Sequence, residues 1–160
     1  LSKEKMKKID LKVIAKSVVD DFNSIYEAKR SIQIILKVSN SQEDYFINGI
    51  ENRIEQIIAN LLDNSISFSD NNKKILVEVT KNEKKEIILK VIDEGKGFKE
   101  TKTKKIFDRF YSNRPDSFGE HSGLGLNIVK NLVDLHGANI YASNNTTQLG
   151  ANVEITFPKA

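Results

Sequence analysis

Two asparagines stand four residues apart in the segment NLLDN, Asn60 and Asn64, within a stretch whose apolar residues recur at helical spacing. This spacing places both amides on one face of a helix. Asparagine is a poor residue inside a helix because its amide competes for backbone hydrogen bonds. The pair is either solvated surface or a set of amide oxygens for a hard cation that carries phosphates.

A second segment, DEGKGF, directly follows an apolar and β-branched run. Its glycines, Gly95 and Gly97, permit positive φ and close approach of a ligand to the backbone. Its first residue, Asp93, ends the predicted strand, where a carboxylate can accept a hydrogen bond from the exocyclic amine of adenine. An ordinary Asp-x-Gly turn is the alternative interpretation.

A third segment, SGLGLNIV at positions 122–129, opens a predicted helix. Backbone N–H groups at a helix start are free to meet phosphate oxygens, and the helix dipole favours anions there. The segment is not a Walker A loop, because no G-x-x-x-x-G-K-[ST] occurs in the chain. It also lacks the third glycine of a dinucleotide-binding fingerprint.

A fourth segment, residues 105–123, has the composition of a loop but contains three phenylalanines, Tyr111, Arg109 and Arg114. It is either a packed surface loop or a lid over a ligand. In a lid, aromatic side chains anchor the hinges and arginines are mobile partners of phosphate. The lid interpretation applies to residues 111–122.

The elements that must position these segments alternate between helical and strand periodicity. We predict a helix capped by Asp10, a helix with its apolar face between Ile54 and Ile66, and one from about Gly123 to His136 that stops at Gly137. The predicted strands are 32–38, 45–50, 75–80, 86–93, Asn139–Asn144 and Ala151–Phe157, with a short helix around 101–107. This order suggests one sheet with helices on one face.

The composition excludes several classes of protein. The chain has 160 residues, enough for one domain with a core, and no cysteine, so disulfide scaffolds and cysteine-ligated metal sites are excluded. His121 and His136 are too far apart for a zinc-binding H-E-x-x-H helix. No apolar run approaches the ~20 residues that span a bilayer. The lysines lack the interleaved arginine and aromatic residues of a nucleic-acid-binding patch.

In this order and spacing, the four segments resemble the N, G1, F and G2 boxes of the ATP-binding catalytic domain of bacterial two-component sensor histidine kinases. The terminal QLGANVEITFP is similar to the G3 box and final strand of that family. We therefore expect residues 1–8 to be a linker stub and residues 9–160 to be the catalytic domain. The resemblance implies an α+β fold, a two-layer α/β sandwich. In it a mixed, mostly antiparallel sheet is backed by three helices on one face, with a nucleotide lid.

The resemblance also implies residue roles. Asn64 would coordinate Mg²⁺, with Asn60 beside it near the phosphates of ATP. Asp93 would bind the adenine amine, supported by Gly95 and Gly97. The other implied nucleotide contacts are Ser67, Phe68 against the adenine ring, Tyr111, Ser122, Gly123, Leu124, Gly125, Leu126 and Asn152. Arg109 and Arg114 join Asn60 as the residues implied in catalysis.

Two positions depart from the family pattern. Ser67 stands where a basic residue commonly meets a phosphate, so part of the phosphate clamp is missing or is supplied by Arg109, Arg114 or Lys96. Asn152 stands where we expect the threonine of the G3 box.

Asn60 stands one helical turn before Asn64, where the related DNA gyrase and heat-shock chaperones have a glutamate base. An amide cannot take a proton from water, so hydrolysis of ATP should be slow. A neutral histidine is already a nucleophile and needs no such base. We therefore expect a protein-histidine kinase domain. It would donate the γ-phosphoryl group of Mg-ATP to a histidine on a dimerisation hairpin outside this chain, for relay to a response regulator.

Neither histidine of this chain is expected to accept the phosphoryl group, so the isolated chain should not phosphorylate itself. The alternatives are a nucleotide-sensing binding module without transfer activity and a serine kinase of the anti-sigma type. The resemblance implies a cytoplasmic bacterial domain without direct membrane contact and without a nucleic-acid partner. The full-length protein would be a homodimer anchored in the inner membrane.

Overall fold

The computed structural model describes residues 5–95, 124–144 and 150–160. The predicted short helix around 101–107 and the predicted lid at 111–122 lie outside these ranges. The described elements, in chain order, are β1 (Lys7–Asp10), α1 (Leu11–Arg30), β2 (Gln33–Val38), β3 (Phe46–Gly49), α2 (Glu51–Ser67), β4 (Lys74–Lys81), β5 (Ile87–Asp93), α3 (Leu124–Leu135), β6 (Asn139–Asn144) and β7 (Ala151–Phe157).

The main sheet has five strands in the order β2-β4-β5-β7-β6. Strands β2 and β4 are parallel, and the other three neighbouring pairs are antiparallel. The predicted mixed and mostly antiparallel sheet is therefore confirmed. The parallel pair is possible because α2 lies between β2 and β4 in the chain and provides the long connection that parallel strands require.

A second, two-stranded sheet joins β1 to β3, with Lys7 opposite Gly49. The sequence predicted a strand at 45–50, close to β3, but it also predicted that all strands belong to one sheet. That second prediction is wrong, because β3 belongs to a separate sheet. Strand β1 begins two residues before the predicted start of the domain at Ile9. Its sequence, KKID, is short and mostly polar, and none of its residues is fully buried. It therefore carries no apolar periodicity that would reveal a strand.

The core lies between the sheet and the helices. Alternate residues of β4, β5 and β7 are buried, as period-two side chains on one sheet face must be. These residues form one hydrophobic cluster with buried residues of α1, α2 and α3. All three described helices therefore cover the same face, which confirms the two-layer arrangement.

The three longer predicted helices are present as α1, α2 and α3, and their ends follow local chemistry. Asp10 caps α1 through Oδ1, which accepts hydrogen bonds from the N–H groups of Lys12 at 3.0 Å and Tyr45 at 3.2 Å. The helical pattern of α3 ends before Gly137, whose φ of 65° lies in the left-handed region that favours glycine. Both predicted caps are therefore confirmed.

Strand β2 lies at one edge of the main sheet, and the side chain of Asn23 from α1 pairs with it. The Asn23 Nδ2 donates to the Ile34 carbonyl at 2.9 Å, and the Ile34 N–H donates to Asn23 Oδ1 at 2.9 Å. The amide thus occupies backbone groups that would otherwise face solvent at a sheet edge. In the described ranges, the chain contains no helix long and apolar enough to cross a membrane.

Candidate functional site

The carboxylate of Asp93 is fixed at one end of the main sheet. Asp93 is the last residue of β5 and only 2% exposed. Its Oδ1 accepts hydrogen bonds from the N–H groups of Gly95 at 2.9 Å and Ala151 at 3.1 Å. Since Ala151 begins β7, the carboxylate is held by two neighbouring strand ends. The result is a buried acceptor group whose orientation is fixed.

Gly95 lies directly against the residue that follows α2. A Cβ atom at Gly95 would be 2.4 Å from the carbonyl oxygen of Phe68 and 3.2 Å from Asp93 Oδ1. The sequence predicted that glycine at this position permits positive φ or close approach of a ligand. The structure gives a different reason, because the close approach is to the backbone of Phe68. The predicted adenine-binding residues Asp93, Gly95 and Phe68 are therefore brought together.

Arg30 holds the segment on either side of Phe68. From the end of α1, its Nη1 donates to the Ile66 carbonyl at 3.0 Å and its Nη2 to the Ser69 carbonyl at 2.6 Å. Its Nε donates to Asn71 Oδ1 at 2.8 Å. Sequence reasoning missed this residue. Its partners are 36 to 41 positions away and two of them are backbone carbonyls, so no motif marks the contact.

Helices α2 and α3 pack side by side and run antiparallel. The ring of His136, just after α3, contacts the N–H of Ile50, just before α2. At 1.5 Å per residue, Asn60 lies ~15 Å along α2 from Ile50, and Leu126 lies ~15 Å before His136 along α3. The predicted magnesium and phosphate residues of α2 therefore lie at the same end of the helix pair as the start of α3.

Within this end of the helix pair, side chains and backbone have different roles. The Leu126 side chain is 4% exposed and belongs to the hydrophobic core, so a nucleotide can meet only its backbone. Apart from its chain neighbours and the backbone of its own helix, no atom of the described residues would lie within 4 Å of a Cβ atom at Gly125. No described residue therefore fills the space beside Gly125, which lies in the first turn of α3, where N–H groups lack intrahelical partners.

The sequence did not predict the hydrogen bond of Ser67 or the sheet face on which Asn152 lies. The Ser67 hydroxyl donates to the Asp63 carbonyl at 2.7 Å, so this hydrogen is used within α2. Asn152 pairs with Ile92, and the alternation along β7 places its side chain on the sheet face opposite to Asp93. The structure does not bring Asn152 to the site, and Ala151 is the β7 residue beside Asp93. An offset of one residue reverses the face in a strand.

Gly97, Arg109, Tyr111, Arg114, Ser122 and Gly123 lie outside the described residues. Leu124 is the first residue of α3.

Residues 49–160 match the family described as histidine kinase-, DNA gyrase B-, and HSP90-like ATPase. The chain is 33% identical over 162 residues to the sensor protein ChvG of Agrobacterium fabrum. That match covers 95% of this chain and 27% of ChvG, so the chain spans about a quarter of this relative's length.

Solved structures show the same fold. The nucleotide-free catalytic domain of histidine kinase ThkA has a TM-score of 0.81 at 24% identity, covering 96% of this chain and 95% of that one. ThkA in complex with the response regulator protein TrrA has a TM-score of 0.78 at 22% identity, covering 97% of this chain and 42% of that one. Full-length ShkA in complex with AMPPNP has a TM-score of 0.80 at 22% identity, covering 99% of this chain and 32% of that one.

Proposed function

Because this chain belongs to the family of histidine kinase-, DNA gyrase B-, and HSP90-like ATPases, we propose that it is the part of a sensor histidine kinase that binds Mg-ATP. In this proposal the chain donates the γ-phosphoryl group to a histidine on a dimerisation hairpin outside it. A response regulator then receives the group from that histidine.

The observation that carries the proposal is the fixed carboxylate of Asp93 beside Phe68 and Gly95. A carboxylate has about four acceptor sites on its two oxygens, and backbone N–H groups orient this one through Oδ1. The exocyclic amine of adenine donates hydrogen bonds, and the base presents a flat apolar face. The oriented carboxylate suits the amine, and in this proposal the ring of Phe68 lies against the apolar face of the base.

The antiparallel arrangement of α2 and α3 supports the proposed binding of magnesium and the triphosphate. Asn64 and Asn60 offer amide oxygens near the start of α3, where the helix dipole and unpaired N–H groups favour anions. Magnesium prefers oxygen ligands and is commonly held by few protein groups together with nucleotide phosphates. The donor set of α2 fits such an ion, with Asn64 as its ligand. When bound, magnesium supplies neutralisation of the charge on the triphosphate.

Asn60 favours transfer over hydrolysis in this proposal. During transfer, an imidazole nitrogen of the incoming histidine forms a bond to the γ-phosphorus as the bond from phosphorus to the β,γ-bridging oxygen breaks, and ADP leaves. The chain's own part is to hold the triphosphate in line with the nucleophile and to offset its charge. Because Asn60 cannot accept a proton from water, competing attack by water is not assisted at this position.

The proposal extends to the whole protein of which this chain is a part. The titles of the solved neighbours name AMPPNP with ShkA and the response regulator TrrA with ThkA. We propose the same classes of ligand and partner here, together with a hairpin-mediated homodimer, an anchor in the inner membrane and a cytoplasmic catalytic domain.

The test is transfer in trans to a histidine hairpin of a related sensor kinase. The chain is incubated with the hairpin, Mg²⁺ and ATP labelled in the γ-phosphoryl group. We expect acid-labile label on the hairpin, none on a hairpin lacking its histidine, and none on this chain. ATP binding measured by calorimetry without any transfer would support a nucleotide-sensing module instead. Absence of ATP binding would contradict the proposal as a whole.

A further inference from the structure

His136 occupies a closely packed position between the end of α3 and the start of α2. The residue is 7% exposed, and its ring makes one hydrogen bond at each nitrogen. Nε2 lies 3.1 Å from the backbone nitrogen of Ile50, and Nδ1 lies 2.7 Å from the carbonyl oxygen of Leu132. The ring also packs against Gly49, where an added Cβ atom would be 3.2 Å from Cδ2 and 3.3 Å from Nε2.

These two partners determine the protonation of the ring. The N–H of Ile50 can only donate, so Nε2 must be an unprotonated acceptor. The carbonyl of Leu132 can only accept, so Nδ1 must carry the proton. His136 is therefore neutral and present as a single tautomer in this arrangement.

The bond from Ile50 satisfies a backbone N–H group at the start of α2, one of those without an intrahelical partner. Ile50 occupies the N-cap position of α2 and makes no side-chain capping hydrogen bond. The residue types that normally cap a helix have a short polar side chain, which isoleucine lacks. His136 instead reaches this position from the neighbouring helix, so the start of α2 is tied to the end of α3.

We propose that His136 is a positioning residue that sets the alignment of α2 with α3, through its Nδ1-protonated ring. The inference rests on the proposed function, since it assigns the alignment a role in nucleotide binding. Asn60 and Asn64 on α2, and the first turn of α3, lie one helix length away from the ring. A packed helix moves largely as a rigid element, so a shift at Ile50 alters the spacing between the amides and the N–H groups that face phosphate.

A matched pair of substitutions separates the two hydrogen bonds of the ring. The side chain of asparagine is shorter than the ring and places an NH₂ near the Nδ1 position. His136→Asn therefore retains the donor to Leu132 but cannot reach Ile50. The longer side chain of glutamine places an oxygen near the Nε2 position, so His136→Gln retains an acceptor for Ile50.

We expect His136→Asn to weaken Mg-ATP binding about tenfold and His136→Gln to change it less than about threefold. Binding is measured by calorimetry, and both proteins are checked for cooperative thermal unfolding. If the two variants bound ATP with equal affinity, the inference would be overturned, whether or not that affinity was lower than the wild type's. It would show that the bond to Ile50 does not control the distant site.

Two further measurements need no nucleotide and so distinguish failure of this inference from failure of the proposed function. Long-range ¹H–¹⁵N spectra of the wild-type protein at neutral pH should show His136 protonated at Nδ1 only. Backbone amide shifts of the empty protein should change at Asn60, Asn64 and Leu126 in His136→Asn and remain unchanged there in His136→Gln. A ring protonated at Nε2, or shift changes confined to the neighbourhood of residue 136 in both variants, would overturn the inference even if the variants fold poorly or the wild type binds no ATP.

Discussion

The backbone of Gly95 is packed so closely on Phe68 that a Cβ atom there would lie 2.4 Å from the Phe68 carbonyl oxygen. This contact joins the residue after α2 to the second residue after β5, which are far apart in the sequence. Neither partner can give way easily, because the Phe68 carbonyl is backbone and the same loop supplies the Gly95 N–H to Asp93.

Substitution of Gly95 should therefore affect stability as well as binding. Gly95→Ala is expected to lower the free energy of unfolding by ~1–3 kcal/mol, because one of the two packed segments must move. It should also weaken ATP binding, since the movement displaces Phe68 or Asp93. Urea unfolding and calorimetry measure the two effects. An alanine variant as stable as the wild type would contradict the packing described here.

Gly125 offers the matched control, since the methyl group added there meets no other described residue within 4 Å. Gly125→Ala should leave the free energy of unfolding unchanged or raise it by up to ~1 kcal/mol, because alanine is the better helix former. If phosphate approaches the backbone at this position, the added methyl group should nevertheless weaken ATP binding. We expect a loss of about tenfold, from one displaced hydrogen bond to a charged group. Unchanged affinity would exclude close phosphate contact at Gly125.

The specificity of Asp93 for an amine can be tested by changing both the side chain at position 93 and the base of the nucleotide. In Asp93→Asn the side chain keeps its size and an oxygen for the N–H groups of Gly95 and Ala151, but it presents an NH₂ group. ATP should bind about tenfold or more weakly, because donor would then face donor. Inosine triphosphate, which has a carbonyl in place of the amine, should lose less affinity or gain some. A variant that weakens both nucleotides equally would argue against a contact between Asp93 and the amine.

The contacts of Arg30 predict a role in support of Phe68. Arg30→Lys keeps the positive charge but loses the planar fork that reaches Ile66, Ser69 and Asn71 together. We expect a loss of ~1–2 kcal/mol in the free energy of unfolding and weaker ATP binding. Lys16→Ala, which removes an exposed ion pair with Asp20 on the same helix, is the control and should change neither quantity measurably. If Arg30→Lys left both the free energy of unfolding and the ATP affinity unchanged, as expected for Lys16→Ala, Arg30 would have no role in support of Phe68.

The helices and the strands of the main sheet were predictable because burial imposes a period on their sequences. In α2, Ile57, Ile58 and Leu61 recur at helical spacing, and in β5 every second residue is buried. Strand β1 was not predictable, since its four residues pair through backbone groups and contribute little buried surface.

The candidate site was predictable where a residue type was itself informative, as with Asp93 and the two asparagines of α2. It was not predictable where the backbone is the partner. Arg30 and His136 contact backbone atoms of residues distant in the sequence, and such contacts leave no pattern in the residue types. Asn152 was not predictable in a third way. The motif gives its place along β7 but not its sheet face, and a difference of one residue reverses that face.

The place of β7 in the main sheet has a consequence for the order in which the molecule is completed during synthesis. Among the described strands β7 comes last in the chain, yet it lies between β5 and β6, and β6 has no other neighbour in the described sheet. A nascent chain that ends at Asn144 therefore has a strand with nothing to pair with. It also lacks the N–H of Ala151, which donates to Asp93 Oδ1. The carboxylate proposed to recognise adenine is thus fully oriented only after translation has passed Ala151, so an unfinished chain cannot present a finished site.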